Sequence, residues 1–168
     1  FFQATSFNQP LNWNTSSVNY FYQMFYGASA FNGTLTFDTS SVLNMKQMFF
    51  QATSFNQPLN WNTSSVTNMV DMFYQAIAFD QTLNWDTSSV LSMQSMFRLA
   101  SSFNQPLNWD TSSVANMSYM FNQATSFDQP LNWDVSSVTT MFQMFFDVTL
   151  STTNYDLILV YWQNALQS

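Results

Sequence analysis

The chain contains no cysteine, no histidine and no glutamate, and these absences exclude several kinds of site. Without cysteine there can be no disulfide framework and no thiol nucleophile. Without cysteine and histidine the preferred ligands of zinc are missing, and without histidine and glutamate the commonest general bases are missing as well. We therefore predict that the protein is not an enzyme and that it uses no cofactor.

Charged residues are also scarce. Only 7% of the residues are charged, whereas roughly 25% are charged in a typical soluble protein. The basic residues are Lys46 and Arg98, and the formal net charge is −7. Phosphate backbones and anionic lipid surfaces are bound by clustered lysine and arginine. We therefore expect no nucleic acid and no anionic membrane surface among the partners.

Long apolar runs are absent too. No stretch reaches the length of about 18 apolar residues that a membrane-spanning helix needs, so we predict no membrane span in this segment. The sequence has no initiator methionine and no signal peptide, and Phe1 falls inside a repeat. We expect it to be a fragment or a processed product.

What the sequence does contain is a repeat with a period of 24 residues. Phenylalanine, leucine, valine and methionine recur at this step, and residues 1–18 are identical to residues 49–66. We predict six repeats in residues 1–144 and a divergent seventh unit in residues 145–168 that caps the C-terminal end. The clearest members of the series are the tryptophans Trp13, Trp61, Trp85, Trp109 and Trp133.

Two hydrophobic patterns share each repeat. Residues 58–62 alternate between apolar and polar, which predicts a short strand with one buried face. Residues 69–76 have apolar side chains at the spacing i, i+3, i+4 and i+7, which predicts a short helical turn. Stacked coils would bury both apolar faces. The sequence therefore predicts a leucine-rich-repeat-like solenoid with one short parallel strand and one helical turn per coil.

The last unit departs from the repeat. Tyr155, Ile158, Leu159 and Trp162 follow the helical spacing, and residues 152–154 are candidates for its N-cap. We predict a C-terminal capping helix laid across the end of the stack.

The consensus F-N-Q-P-L-N-W-D-T-S-S-V-T-N-M-x-x-M-F, carried best by residues 103–121, resembles that of the BspA-like leucine-rich-repeat surface proteins. Residues 150–162 also resemble the C-terminal ending of that family. The resemblance implies a leucine-rich-repeat solenoid that is exposed at a cell surface and is associated with adhesion and protein binding. It transfers no site residue, because that family has no shared catalytic or ligand motif.

One candidate site is a row of asparagines that we call the amide row. Its side chains are expected to point outward from the predicted strands and to stack at strand spacing. They could bond to one another and stabilise the stack, or they could form a flat recognition surface for a protein or a glycan. The amide row consists of Asn60, Asn84, Asn108 and Asn132.

A second candidate site lies two residues further on, at Asp86, Asp110 and Asp134, which we call the carboxylate row. Aspartate in a D-T-S-S sequence is typical of an Asx turn, and three neighbouring carboxylates could instead bind Ca²⁺. The serines that follow, such as Ser88, are interpreted as inward polar residues that satisfy the backbone of the turn.

These observations predict a non-catalytic extracellular module, at a cell surface, for adhesion or for protein or glycan binding. The alternative is a structural subunit of a surface filament, sheath or other homo-assembly, with contacts at the ends Phe1, Phe2 and Trp162. A further hypothesis places specific contacts where the repeats differ most, at residues 70–71, 94–95, 118–119 and 142–143.

Overall fold

The computed structural model describes residues 1–165, in which consecutive repeats lie on top of one another. Equivalent side chains of neighbouring repeats stack inside: the rings of Phe49 and Phe73 are 5.5 Å apart and inclined by only 5°. The phenylalanine, tryptophan, valine and methionine rows together form one buried core. The prediction that this is a repeat protein is confirmed, whereas the division into six repeats and a seventh capping unit stays a prediction. Stacking of like on like also explains why the spacing contains no insertion, because one extra residue would shift a whole row.

Neighbouring repeats are not equally far apart on all sides. The rings of Phe50 and Tyr74 are 4.5 Å apart, whereas those of Trp61 and Trp85 are 6.3 Å apart. Both pairs are nearly parallel, so these distances measure the step from one repeat to the next at each place. The repeats therefore fan out from a narrow side, which carries Phe50, to a wide side, which carries the tryptophans.

The predicted leucine-rich-repeat-like solenoid of strands and helical turns is wrong, because residues 1–165 contain one α-helix and no β-strand. Pairing between repeats is limited to isolated parallel bridges. One of these joins Leu11 to Leu35. The others run along the narrow side, through a single position of each repeat: Tyr20, Asn44, Asn68, Ser92, Asn116 and Thr140.

The segment predicted as a strand, residues 58–62, is irregular. Paired strands lie about 4.8 Å apart, and the wider step of 6.3 Å at Trp61 and Trp85 accompanies a loss of backbone pairing. The first two repeats are an exception, because Leu11 forms backbone hydrogen bonds with Thr34 and Thr36. In the later repeats side chains bridge the gap instead. The indole Nε1–H of Trp85 donates to the carbonyl oxygen of Leu59 (3.0 Å), and the hydroxyl of Thr63 donates to that of Asp86 (2.8 Å). The alternation thus predicted which side chains are buried but not how the backbone pairs.

The segment predicted as a helical turn, residues 69–76, is a series of tight turns. Asp71 and Gln75 each have a φ of 55°, in the left-handed region, so no right-handed helix passes through them. Successive backbone N–H groups donate alternately within the repeat and to the next repeat. The N–H of Met72 donates to the carbonyl oxygen of Met69 in the same repeat, and that of Asp71 donates to the carbonyl oxygen of Gln94 in the next repeat (2.9 Å). The apolar side chains are nevertheless all buried: Met69, Met72, Phe73 and Ala76.

The α-helix α1 spans Thr152–Ala165 in the seventh unit. Its N-cap is Ser151, whose hydroxyl accepts from the backbone N–H of Asn154 (3.4 Å). The carbonyl oxygen of Ser151 accepts from the N–H of Tyr155 (2.9 Å). The cap therefore lies one residue before the range that the sequence indicated.

Helix α1 packs on the last repeat. Ile158 is buried in the common core, and the ring of Trp162 stacks 6.2 Å from that of Phe145. Asp128 holds the start of the helix, because its carboxylate accepts from the side-chain amide of Asn154 (2.9 Å). That residues 145–168 serve as a cap stays a prediction.

Candidate binding surface

The amide row lies on the wide side, where all four asparagines are exposed. Within residues 1–165 none of their side-chain amides forms a hydrogen bond, so the self-bonded ladder is absent from the part of the chain described. The wide step between repeats on this side keeps neighbouring amides apart. The donors and the acceptor of each amide are therefore free to meet a partner from outside.

The carboxylate row forms Asx turns. One carboxylate oxygen of Asp86, Oδ1, accepts from the N–H (3.1 Å) and from the hydroxyl (2.6 Å) of Ser88. The same two bonds join Asp110 to Ser112. These bonds, first from the serine hydroxyl and then from its backbone N–H, lower the pKa of both carboxyls below the ordinary value. The row is therefore ionised at neutral pH.

Calcium binding at Asp86, Asp110 and Asp134 has no preformed site among the described residues. Each carboxylate serves its own turn, as the contacts of Asp134 with the N–H of Ser136 also show (2.8 Å). Residues 1–165 bring no three acidic side chains together in an arrangement that could hold a metal ion. The Ca²⁺ hypothesis stays a prediction that rests on the sequence alone.

In five of the six turns the inward polar residue is threonine and not serine, which corrects the interpretation of the sequence; in the sixth turn this position is Val135, which is also buried. Ser88 is exposed, whereas Thr87 beside it is buried. The hydroxyl of Thr87 donates to the carbonyl oxygen of Asp110 in the next repeat (2.7 Å). A branched side chain can place its methyl group in the core and its hydroxyl on a backbone oxygen, and serine lacks that methyl group.

A second row of asparagine and aspartate residues escaped the sequence analysis, and we call it the structural ladder. The side-chain oxygen of Asn56 accepts from the backbone N–H of Asp80 (3.0 Å) and from the side-chain amide of Gln81 (3.0 Å). The same pair of bonds recurs along the stack. Its sequence signal was the recurrence of Asn or Asp directly after the core phenylalanine: Asn8, Asn32, Asn56, Asp80, Asn104 and Asp128.

The positions at which the repeats differ most offer little surface. Ser95 and Ser118 are buried, and Asp71 is half-buried, where burial raises the pKa of its carboxyl. Phe142 and Gln143, in the last repeat, are exposed. The amide row is thus the more accessible of the two candidate contact surfaces.

The predicted assembly ends differ from each other. Phe1 and Phe2 are exposed, and Phe2 stacks on Tyr26 at 4.9 Å. Trp162 belongs to α1 and is half-buried, and its indole Nε1 is buried without a hydrogen-bond partner in the described chain. The structure therefore places these residues at two separate surfaces of the stack.

Stacked units, like-on-like core rows and a regular polar face together define a repeat protein. More particularly, the chain belongs to the family described as "Mycoplasma protein of unknown function, DUF285", which matches residues 1–84 and again residues 59–158. These matches show a repeat family and do not show the expected membership of the BspA-like leucine-rich-repeat proteins. No curated protein and no solved structure matches the chain. Within residues 1–165, no helix has the length and apolar character needed to cross a membrane.

Proposed function

We propose that this chain is a non-catalytic binding module whose amide row contacts a protein or glycan ligand. The observation that carries the proposal is that the side-chain amides of the amide row are exposed and make no hydrogen bond within residues 1–165. These residues are Asn60, Asn84, Asn108 and Asn132. Each side-chain amide offers two donors and an acceptor. Hydroxyl groups of a glycan and peptide groups of a protein both match such a surface.

The backbone beneath the amide row is held by the core, which favours binding. Trp85, Trp109 and Trp133 are buried, and each indole donates to the backbone of the preceding repeat at 3.0 Å. A surface that is already ordered loses less conformational entropy when a ligand binds. The amide row can thus engage several groups of one ligand without rearrangement of the stack.

The carboxylate row restricts the charge of the ligand. Asp86, Asp110 and Asp134 lie two residues from the amide row, and hydrogen bonds from serine lower the pKa of each. The negative charge of the row repels anionic groups. We therefore propose a neutral or cationic ligand and not a sulfated or phosphorylated one.

The proposal includes a location outside the cell or on its surface. It is supported by the resemblance of the repeat to BspA-like surface proteins. Protease added to intact source cells should therefore cleave the protein without cell lysis, and full protection until lysis would contradict this location. The non-catalytic part of the proposal is supported by the absence of histidine, cysteine and glutamate from the sequence.

Two matched triple variants test the amide row on a glycan microarray and on a panel of immobilised glycoproteins. Replacing three amides with alanine should weaken binding about tenfold or more, because each lost hydrogen bond contributes about 0.5–1.5 kcal/mol. The control replaces three exposed serines that form no side-chain hydrogen bond and lie six residues before the three asparagines in the same repeats. Equal binding by the two variants, or binding to neither array nor panel, would refute the proposal. The amide variant is Asn60→Ala, Asn108→Ala and Asn132→Ala, and the control is Ser54→Ala, Ser102→Ala and Ser126→Ala.

The second candidate function is a structural subunit of a surface assembly. It is favoured by the last repeat, where backbone amides that are paired in every earlier repeat have no partner among the described residues. Sedimentation velocity over a wide range of protein concentration distinguishes the two. Growth into long species supports assembly, and a monomer at all concentrations argues against it.

A further inference from the structure

On the narrow side of the stack, alternate residues of each repeat donate their backbone N–H to carbonyl oxygens of the next repeat. Met117 donates to Thr140 (3.0 Å) and Tyr119 donates to Phe142 (2.9 Å). In the last repeat the equivalent N–H groups form no hydrogen bond within residues 1–165, and we call this row the open edge. The open edge consists of Met141, Gln143, Phe145 and Asp147.

The open edge also has one free acceptor. The carbonyl oxygen of Ala115 accepts from the N–H of Thr139 (2.9 Å), but the carbonyl oxygen of Thr139 itself accepts nothing from the described residues. One acceptor followed by four donors is the pattern that each inner repeat presents to its successor. Unpaired rows of this kind are templates for pairing with another chain.

Helix α1 packs on the last repeat but leaves a cavity beside the open edge. The cavity has a volume of about 270 Å³. In the inner repeats the next repeat occupies this place: Asn116 bridges to Thr140, and Met141 follows it into the methionine row. The buried Nε1–H of Trp162 has no partner within residues 1–165. The cavity is lined by Val135, Val138, Thr139, Thr140, Met141 and Trp162.

We infer that the open edge and this cavity form a docking site for a turn segment of the type N-M-x-x-M-F, carried by another polypeptide chain. The alternate carbonyl oxygens of the segment accept from the four free N–H groups, as in the inner repeats. Its first methionine enters the cavity. An aromatic residue after its phenylalanine stacks on Phe146, which is 48% exposed.

The inner repeats are the reason for choosing this occupant. The same edge is paired in the same register between the earlier repeats on the narrow side, and three of the five pairing segments, residues 44–49, 68–73 and 116–121, have the sequence N-M-x-x-M-F. The aromatic contact also has a precedent within the chain, because Phe50 stacks on Tyr74 at 4.5 Å at the equivalent position. A segment that repeats these contacts meets donors and an apolar cavity already in place.

Residue-resolved amide hydrogen exchange, followed by NMR, tests the site on the whole chain. The probe is a synthetic peptide with the sequence of residues 43–51, which contains N-M-K-Q-M-F-F. In the free chain the open edge should exchange fast, whereas the equivalent amides one repeat earlier should exchange slowly. Saturating peptide should slow exchange at the open edge roughly tenfold or more and shift the indole N–H signal of Trp162. The slow reference amides are those of Met117, Tyr119, Phe121 and Gln123.

The control peptide carries the substitution Gln47→Pro. The docked register requires a φ near the 57° of Gln47, and proline holds φ near −65°, so this peptide should leave exchange unchanged. The inference fails if the open edge of the free chain exchanges as slowly as the reference amides. It also fails if neither peptide slows the edge or if both slow it equally. The site shares no residue with the amide row, so either proposal can fail while the other stands.

Discussion

Asn56 and Asn60 are the same residue type, four positions apart in one repeat, and the structure gives them opposite roles. The side-chain oxygen of Asn56 accepts from Asp80 and Gln81 of the next repeat. The amide of Asn60 is exposed and has no partner within residues 1–165. Replacing each with alanine therefore separates the structural ladder from the amide row.

The expected magnitude for Asn56→Ala follows from what is left unpaired. The backbone N–H of Asp80 stays half-buried and loses its acceptor, which costs about 1–2 kcal/mol. The side chain of Gln81 can turn towards water and adds little. We therefore expect Asn56→Ala to lower the free energy of unfolding by about 1–2 kcal/mol. Asn60→Ala removes an exposed side chain that makes no hydrogen bond in residues 1–165 and should stay within about 0.5 kcal/mol of the parent chain.

Urea unfolding of the parent chain and the variants, followed by circular dichroism and tryptophan fluorescence, measures these differences. Asn56→Asp is the conservative variant: it keeps an acceptor, and aspartate already occupies this position of the ladder at Asp80 and Asp128. It should recover most of the loss seen in Asn56→Ala. Equal losses for Asn56→Ala and Asn60→Ala, or a larger loss for Asn60→Ala, would refute the assignment of the two rows.

Two further predictions concern backbone conformation and pH. Leu99 has a φ of 62°, so Leu99→Gly should raise the unfolding free energy by up to about 1 kcal/mol, while Ala100→Gly should lower it, as thermal melts will show. Hydrogen bonds from Ser88 lower the folded pKa of Asp86, so its contribution to stability is present above pH about 4 and is lost as pH falls through the folded pKa. Ser88→Ala should raise that pKa towards its ordinary value, and an unchanged value in an NMR titration would contradict the turn.

The prediction of the fold was wrong because it assigned each hydrophobic pattern to a single type of backbone structure, alternation to a strand and the i, i+3, i+4 and i+7 spacing to a helical turn. Residues 69–76 have helical spacing, but turns with left-handed residues bury the same side chains, since Asp71 and Gln75 have positive φ. Left-handed residues are most often glycine, and most repeats have a polar residue there instead. In the last unit the same spacing did correspond to an α-helix, α1.

At the candidate site, the sequence predicted the features that depend on neighbouring residues and missed those that depend on pairing between distant residues. The sequence located the exposed amide row and the Asx-turn aspartates, because both depend on neighbours in the chain. It did not distinguish the structural ladder from the amide row. The acceptor Asn56 and its donor Asp80 are 24 residues apart. The residues next to Asn56 or Asp80 in the sequence give no sign that the two are in contact in the fold.

The sequence by itself determined the period, the identity of the core rows and the absence of cysteine and histidine chemistry. These properties depend only on which residues recur and on their preference for burial. The tertiary structure alone decided where the repeats pair, because pairing depends on the step between repeats: 4.5 Å at Phe50 and Tyr74, and 6.3 Å at Trp61 and Trp85. Backbone hydrogen bonds join neighbouring repeats along the narrow side. On the wide side such bonds occur at Leu11, and from Leu59 onward side chains bridge the repeats and leave the asparagine amides free.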